Sequence, residues 1–543
     1  MAKRKITSSS EKGTRVISTQ RVSDGRLVPA VKQYVSITVV PEFDAVAASE
    51  TKDDFKVLIR LRAPPLSKEA RRAPVDLVMV LDVSGSMAYP TVFPNVSGTM
   101  AYPNVYPNVN GSMAYPNVSG SMVYPNVSGS VAYSNVHSSM GYTSKLDLVK
   151  RAACFVIDQL DHYDRLSIVS FDSVAKIKFS LRKMTEQGRT AAKRVVNSLI
   201  ASGGTNIVEG LTKGFQVLDA RLHPNPVASV LLLSDGQDLP RQPSDYHFGG
   251  TDKGHRTIPI HTFGFGTDHN PVVMHAIADS SGGTFSFIES YELVQDAFAR
   301  CIGGLLSVVV RELRLTLRSA SQGVVIKLIP SGRHFSEITN RGSRGTINVG
   351  DLYADEEKEF LVNIFVPVYV SNNERTTPLL DITCSYIDEL SNARVQMESC
   401  EIRRPGVPLL CDVKVKLEVD RQKSRLDAVD GLAEAQRVAD TGDLEGARAI
   451  LSKRIKSVQA SASRQAGDGL LLKLEDEMKK TEEKMGSKST YERAGRAYVL
   501  SSISSHANQR ATTSGKVASS NDAYVTPNMA NMVNKSQQLV KIE

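Results

Sequence analysis

Apolar and polar positions along the chain fall into three regimes. Two runs before residue 62, Val35 to Val40 and Phe55 to Leu61, alternate with a period of two and predict a pair of antiparallel strands. From Val75 the pattern changes to short, uniformly apolar runs (Leu77 to Leu81, Leu166 to Phe171, Val230 to Leu233, Ile258 to Gly266, Thr284 to Ile288) separated by stretches of helical period. The first of those helices opens on Ser144-Lys-Leu-Asp147, a capping box, and sets Leu146, Val149, Ala153, Val156, Ile157 and Leu160 on one face. Others run through Val195 and Leu199, begin after Asn206, cover Val272 to Ala278, and extend from Tyr291 to about Leu306, with an edge strand near Ile177 to Leu181. This alternation predicts an α/β fold, a doubly wound and mainly parallel sheet with helices on both faces.

Residues 307 to 403 return to short β-rich runs and predict a β-sandwich, which the two early strands should join, so that the α/β unit is an insertion in it. A helical region follows. Its signals are a second capping box at Ser424 to Asp427, a turn at Asp440 to Asp443 and a helix from Leu444 to Val458 folding back on the first. The expected organisation is a disordered basic tail (1–31), strands joining the sandwich (32–66), the α/β domain (74–306) with a low-complexity insertion (88–143), the sandwich (307–410), the helical region (421–510) and a disordered Ser-, Asn-, Thr- and Gln-rich tail (511–543).

Composition narrows the class. The 543 residues are 41% hydrophobic and 23% charged, as in ordinary globular proteins. No apolar run approaches the roughly 18 residues that span a bilayer, and the first residues have no apolar core of a signal peptide, so the expected compartment is the cytoplasm, with the nucleus as the alternative. Five widely spaced cysteines (154, 301, 384, 400, 411) include no C-x-x-C pair, so neither a zinc finger nor a disulfide framework is indicated. The net charge of +8 is concentrated at the start, where eight Lys or Arg face two acids in residues 1–32. A solvated tail accounts for it, and without a groove-reading helix or aromatic RNA-binding signature nucleic acid is not an expected partner.

The candidate chemistry lies where apolar strands end. Val75-Asp-Leu-Val-Met-Val-Leu-Asp82 delivers Asp82, Ser84 and Ser86 onto a tight turn, offering one carboxylate and two hydroxyls to a hard cation from one loop. The strand ending in Leu233 supplies a second carboxylate, Asp235, and the Gly203-Gly-Thr205-Asn turn supplies a hydroxyl. Together these three motifs, in this order, resemble the metal-ion-dependent adhesion site of von Willebrand factor A domains, over residues 74–306. The resemblance implies that Ser84 and Ser86 coordinate a Mg²⁺ ion directly, Thr205 directly or through water, and Asp82 and Asp235 in the first or second shell. Mn²⁺ and Ca²⁺ are the other ions such oxygens accept. One position left open on the ion would take a Glu or Asp from a partner protein. The alternative is that these oxygens only tie loops together, although two aspartates brought close without a cation would repel. Catalysis is not expected, because there is no G-x-S-x-G elbow and His261 and His275 read as ordinary strand and helix residues.

Between Met87 and Ser144 the chain repeats a Tyr-Pro-Asn-Val unit without one Asp, Glu, Lys or Arg. Its copies re-create the cation motif with Asn95, Asn108, Asn117 and Asn126 in the place of Asp82. A neutral amide is a poor substitute for a carboxylate, so Asp82 should keep the site, and the insertion is either a tolerated loop or a shield over the metal face. A β-sandwich around an A domain resembles the flanks of inter-alpha-trypsin-inhibitor heavy chains. More closely, the layout is similar to intracellular plant proteins that include the wavy-growth type ubiquitin ligases, which carry a RING finger ahead of the A domain. This sequence has no RING cysteines. The resemblance therefore implies a non-enzymatic, Mg²⁺-dependent adaptor. The alternative is a non-catalytic component or substrate receptor in ubiquitin ligation, acting with a RING-bearing relative.

Overall fold

The computed structural model describes residues 34–67, 72–89, 143–236, 258–290, 293–369, 376–388, 391–515 and 524–540, and the backbone of 18–21 and 27–30. The Tyr-Pro-Asn-Val repeats of the expected 88–143 insertion lie outside the described residues, as does most of the expected 1–31 tail. Within that tail Ser18–Arg21 and Leu27–Ala30 pair as an antiparallel ribbon, where the sequence predicts disorder.

Strands β1 (Ser36–Pro41) and β2 (Lys52–Arg62) come first. The α/β unit then runs β3 (Val75–Asp82), α1 (Lys145–Gln159), β4 (Arg165–Phe171), β5 (Ala175–Lys183), α2 (Glu186–Asn197), α3 (Ile207–Asp219), β6 (Val227–Ser234), β7 (Ile260–Phe265), α4 (Pro271–Ser281), β8 (Phe285–Ile288) and α5 (Val294–Leu305). Next come β9 (Val308–Ser319), β10 (Val325–Leu328), β11 (Ser336–Thr339), β12 (Arg344–Tyr353), β13 (Glu357–Val366), β14 (Thr376–Asp388) and β15 (Ala393–Arg403). The main elements after the sandwich are α6 (Leu417–Asp440), α7 (Leu444–Ala460), α8 (Gly469–Lys484), α9 (Arg496–Asn508), β16 (Ser514–Gly515) and α10 (Pro527–Val540).

The central sheet has the order β16-β8-β7-β6-β3-β4-β5, parallel except for the edge strand β5. β3 is buried along its whole length, and its alternating side chains serve opposite faces. Leu77, Met79 and Leu81 pack with α1, α2 and α5, while Val78 and Val80 pack with α3, α4 and α9. Helix α3 lies close on the sheet because Gly210 and Gly214 face it; a Cβ on Gly210 would stand 2.9 Å from the Phe171 ring. The capping box at α1 forms as the sequence predicts, with Ser144 accepting from the Asp147 amide and Asp147 accepting from the Ser144 amide.

β1 and β2 join the sandwich, one of whose sheets has the order β10-β13-β2-β1 and the other β11-β12-β9-β14-β15, all antiparallel. The α/β unit therefore leaves the sandwich after β2 and returns at β9.

Three local expectations are corrected. α2 ends at Asn197, so Leu199 lies just beyond it, buried in the turn. Ser424 and Asp427 do not cap a helix: α6 starts seven residues earlier, at Leu417, and Ser424 lies buried in its interior. Tertiary contact overrides the local signal, since Val419 packs on Leu58 and Leu361 and Gln422 donates to the Glu359 carbonyl at 2.9 Å. The 511–543 stretch does not behave as a disordered tail throughout, because β16 pairs with β8 and α10 packs on α5. Its polar residues reach interior partners: the Ser501 and Ser514 hydroxyls are 2.7 Å apart and the Ser536 hydroxyl donates to Asp296 at 2.9 Å.

Candidate metal and ligand site

The site grows from the carboxyl ends of two neighbouring strands. β3 and β6 are adjacent and parallel, with Leu81 opposite Leu233, so the residues that follow, Asp82 and Ser234, lie side by side. The chain proceeds from β3 to β4 on one side, whereas β6 lies on the other, so the two carboxylates flank a reversal of strand order, where open α/β sheets leave a crevice.

Both oxygens of Asp82 are engaged. The Ser234 hydroxyl donates to Oδ2 at 2.6 Å and the Ser84 amide donates to Oδ1 at 2.8 Å. Burial first, and Asp235 second, push the Asp82 carboxyl up to about 7. Ser86 donates its hydroxyl to Asp235 Oδ1 at 2.8 Å, and the Ser84 and Ser86 hydroxyls are 3.1 Å apart.

The other loops are stitched to this one by backbone bonds: Val83 to Phe171, Gly85 to Gly203 and Ser202 to Val83, at 2.8, 3.0 and 2.7 Å. The Gly203 to Asn206 turn, with Gly203 at φ +72°, carries Thr205 against the Asp235-Gly236 turn. A Cβ on Gly236 would stand 2.7 Å from Thr205 Oγ1, so only glycine lets that hydroxyl approach. Asp82, Ser84, Ser86 and Asp235 are thus joined in one hydrogen-bonded chain, with Thr205 at its edge.

Three participants are not among the candidates the sequence singles out. Ser234 orients Asp82. The Lys145 ammonium, its side chain 4% exposed, lies 2.6 Å from Asp235 Oδ2, and Asp268 is 3.5 Å from the same nitrogen at the rim. One signal for Lys145 was available: a cation on the first turn of α1 opposes the helix dipole and requires an anion nearby. The histidines serve elsewhere. His261 shares a 2.8 Å bond with the Thr284 hydroxyl and burial drives its pKa down to about 3, and His275 lies on α4.

Among the described residues no three His, Cys, Asp or Glu side chains gather as a metal cluster, so an ion here would rest on two carboxylates and on hydroxyls. This donor set fits a hard divalent cation: all its atoms are oxygen, and a cation would offset the burial of two neighbouring carboxylates that raises Asp82.

This sheet, with its site at the strand ends, defines a von Willebrand factor type A domain, and residues 131–287 match the family profile for that domain. The match starts late in the 88–143 segment, so the Asp82 strand lies outside it although it is a central strand of the sheet. Residues 468–538 match a second profile, described as VWA / Hh protein intein-like. The chain is similar to proteins of Arabidopsis thaliana named as ubiquitin ligases. It is 30% identical over 441 residues to E3 ubiquitin-protein ligase WAV3 of Arabidopsis thaliana, covering 77% of this chain and 48% of that protein. It is 26% identical over 441 residues to Probable E3 ubiquitin-protein ligase WAVH2 of the same plant, covering 78% and 51%. The chain spans about half the length of these curated relatives. A solved von Willebrand factor type A protein from Catenulispora acidiphila shares the fold, with a TM-score of 0.56 at 17% identity over 81% of this chain and 89% of that one.

Proposed function

We propose that the chain is a metal-ion-dependent protein-binding module, in which Asp82, Ser84, Ser86, Thr205 and Asp235 hold a Mg²⁺ ion that engages a Glu or Asp of a partner protein. The observation that carries this is the convergence of two buried carboxylates and paired serine hydroxyls at the carboxyl ends of β3 and β6. The bound ion would supply a Lewis-acidic position for the partner's carboxylate. The protein's own part is to hold the oxygens in place: Ser234 and the Ser84 amide orient Asp82, and Ser86 orients Asp235. Mn²⁺ or Ca²⁺ would suit the same oxygens, and the Tyr-Pro-Asn-Val repeats would not compete for the ion.

The module has no catalytic step of its own in this reading, and it works in the cytoplasm or the nucleus without nucleic acid. Among the described residues no helix is long and apolar enough to cross a membrane. Calorimetric titration of Mg²⁺ into chelator-treated protein should give saturable binding, weakened roughly 10- to 100-fold or more by Asp82→Ala. An unchanged titration in Asp82→Ala would overturn the assignment.

The names of the Arabidopsis relatives favour a second reading, that the chain is a substrate receptor or other non-catalytic component of ubiquitin ligation paired with a RING-bearing relative. A ubiquitin-transfer assay separates the two. With such a relative present, ubiquitin transfer to a protein that this chain binds, seen with both together and with neither alone, would support this second reading, and transfer unchanged by adding the chain would count against it.

A further inference from the structure

The lysine in the metal site carries a consequence for its regulation. Lys145 is almost wholly buried, at the first position of α1, where both the helix dipole and desolvation oppose an ammonium. It is held there by Asp235, which is fully buried and whose second oxygen already accepts the Ser86 hydroxyl. Both Asp235 oxygens therefore already accept from donors of this chain, and a divalent ion brought to Asp235 meets one of them, the ammonium, as a like charge at the same carboxylate. The serine hydroxyl can turn its proton away and offer a lone pair to a cation. The ammonium has three donors and no lone pair, so it can only leave. A place to go is already built: Asp268 is 3.5 Å from the same nitrogen and 68% exposed, at the mouth of the site.

Accepting the metal assignment above, the geometry points to Lys145 as a tethered counter-cation that competes with the divalent ion for Asp235, with Asp268 as its second position. The lysine keeps the metal-free A domain folded by offsetting Asp235, and it sets a threshold concentration below which the site stays closed to acidic partners. Lys145 is thus a positioning and specificity-determining residue.

The test is a Mg²⁺ titration by calorimetry, paired with thermal melts in chelator and in Mg²⁺, on wild type, Lys145→Met, Lys145→Arg and Asp268→Asn. In Lys145→Met the affinity should rise about tenfold or more, the chelator melt should fall, and Mg²⁺ should raise the melting temperature by more than in wild type. Lys145→Arg should keep the wild-type chelator melt. Asp268→Asn, a change at an exposed position, should weaken Mg²⁺ binding severalfold and leave the chelator melt unchanged. Equal or weaker Mg²⁺ affinity in Lys145→Met overturns the competition while leaving the metal assignment intact. Should Lys145→Met fail to fold, unchanged affinity in Asp268→Asn overturns it instead. Absence of binding in wild type and Lys145→Met alike overturns both.

Discussion

Removal of residues 511–540 is expected to destabilise the protein by more than about 5 kcal/mol. The stretch supplies a strand and a helix to the A domain. α10 lies so close on α5 that a Cβ on Gly303 would stand 2.9 Å from Met532 Cβ and 3.0 Å from Met529 Cα. Met529 is 3% exposed, and truncating one such side chain costs roughly 2–5 kcal/mol. Polar losses add to this. Buried Asp296 would lose the Ser536 hydroxyl and the Gln537 amide, at 2.9 and 2.8 Å, and Arg300 would lose the Thr512 carbonyl at 3.0 Å. A buried charge deprived of its partners is among the costliest defects a fold can carry. Urea denaturation of the truncated chain measures the effect. An unchanged midpoint would mean that the stretch contributes nothing to the fold.

Glu356→Ala is expected to cost about 3–5 kcal/mol, because it leaves two buried cations without their shared counter-ion. Arg510 reaches Glu356 with two nitrogens at 2.7 and 3.0 Å, and Lys358 lies 2.9 Å from it. The cluster joins the segment after α9 to the sandwich, with Arg510 also donating to the Asp351 carbonyl at 2.6 Å. Burial alone would raise the Glu356 pKa, but Arg510 and Lys358 outweigh it and hold the carboxyl down to about 2. The same burial lowers Lys358 to about 7. Because the folded pKa of Glu356 is below its ordinary 4.5, its contribution is fully present above about pH 4.5 and is lost as the pH falls through 2. The difference in unfolding free energy between wild type and Glu356→Ala should therefore shrink as the pH falls below 4.5. A difference that stays constant to pH 2 would show that the carboxylate's charge is not what matters.

The sheet was legible because a parallel strand buried on both faces is apolar along its middle, as Leu77 to Leu81 is, and because its carboxyl end has to be the place where polar oxygens reappear. Asp82, Ser84 and Ser86 stand out in the sequence for that reason, as does Asp235 by the same rule on the neighbouring strand, and the structure brings the four together. What stayed hidden depends on contacts between distant segments. Lys145 reads as one more charged residue in a capping box until α1 is set beside β6. Ser424 carries a sound local cap signal, yet Val419 and Gln422 find partners on the sandwich and extend the helix past it. In α10 the apolar positions are sparse, and its Ser and Gln side chains pay their way only because Asp296 is there to accept from them.

In the proposed function a divalent ion at Asp82 and Asp235 holds an acidic partner. Affinity capture on the intact chain, in Mg²⁺ and in chelator, with Asp82→Ala as the control, tests it most directly. Partners recovered in Mg²⁺ and lost both in chelator and in Asp82→Ala are the expected result. The same partners retained under all three conditions would contradict it.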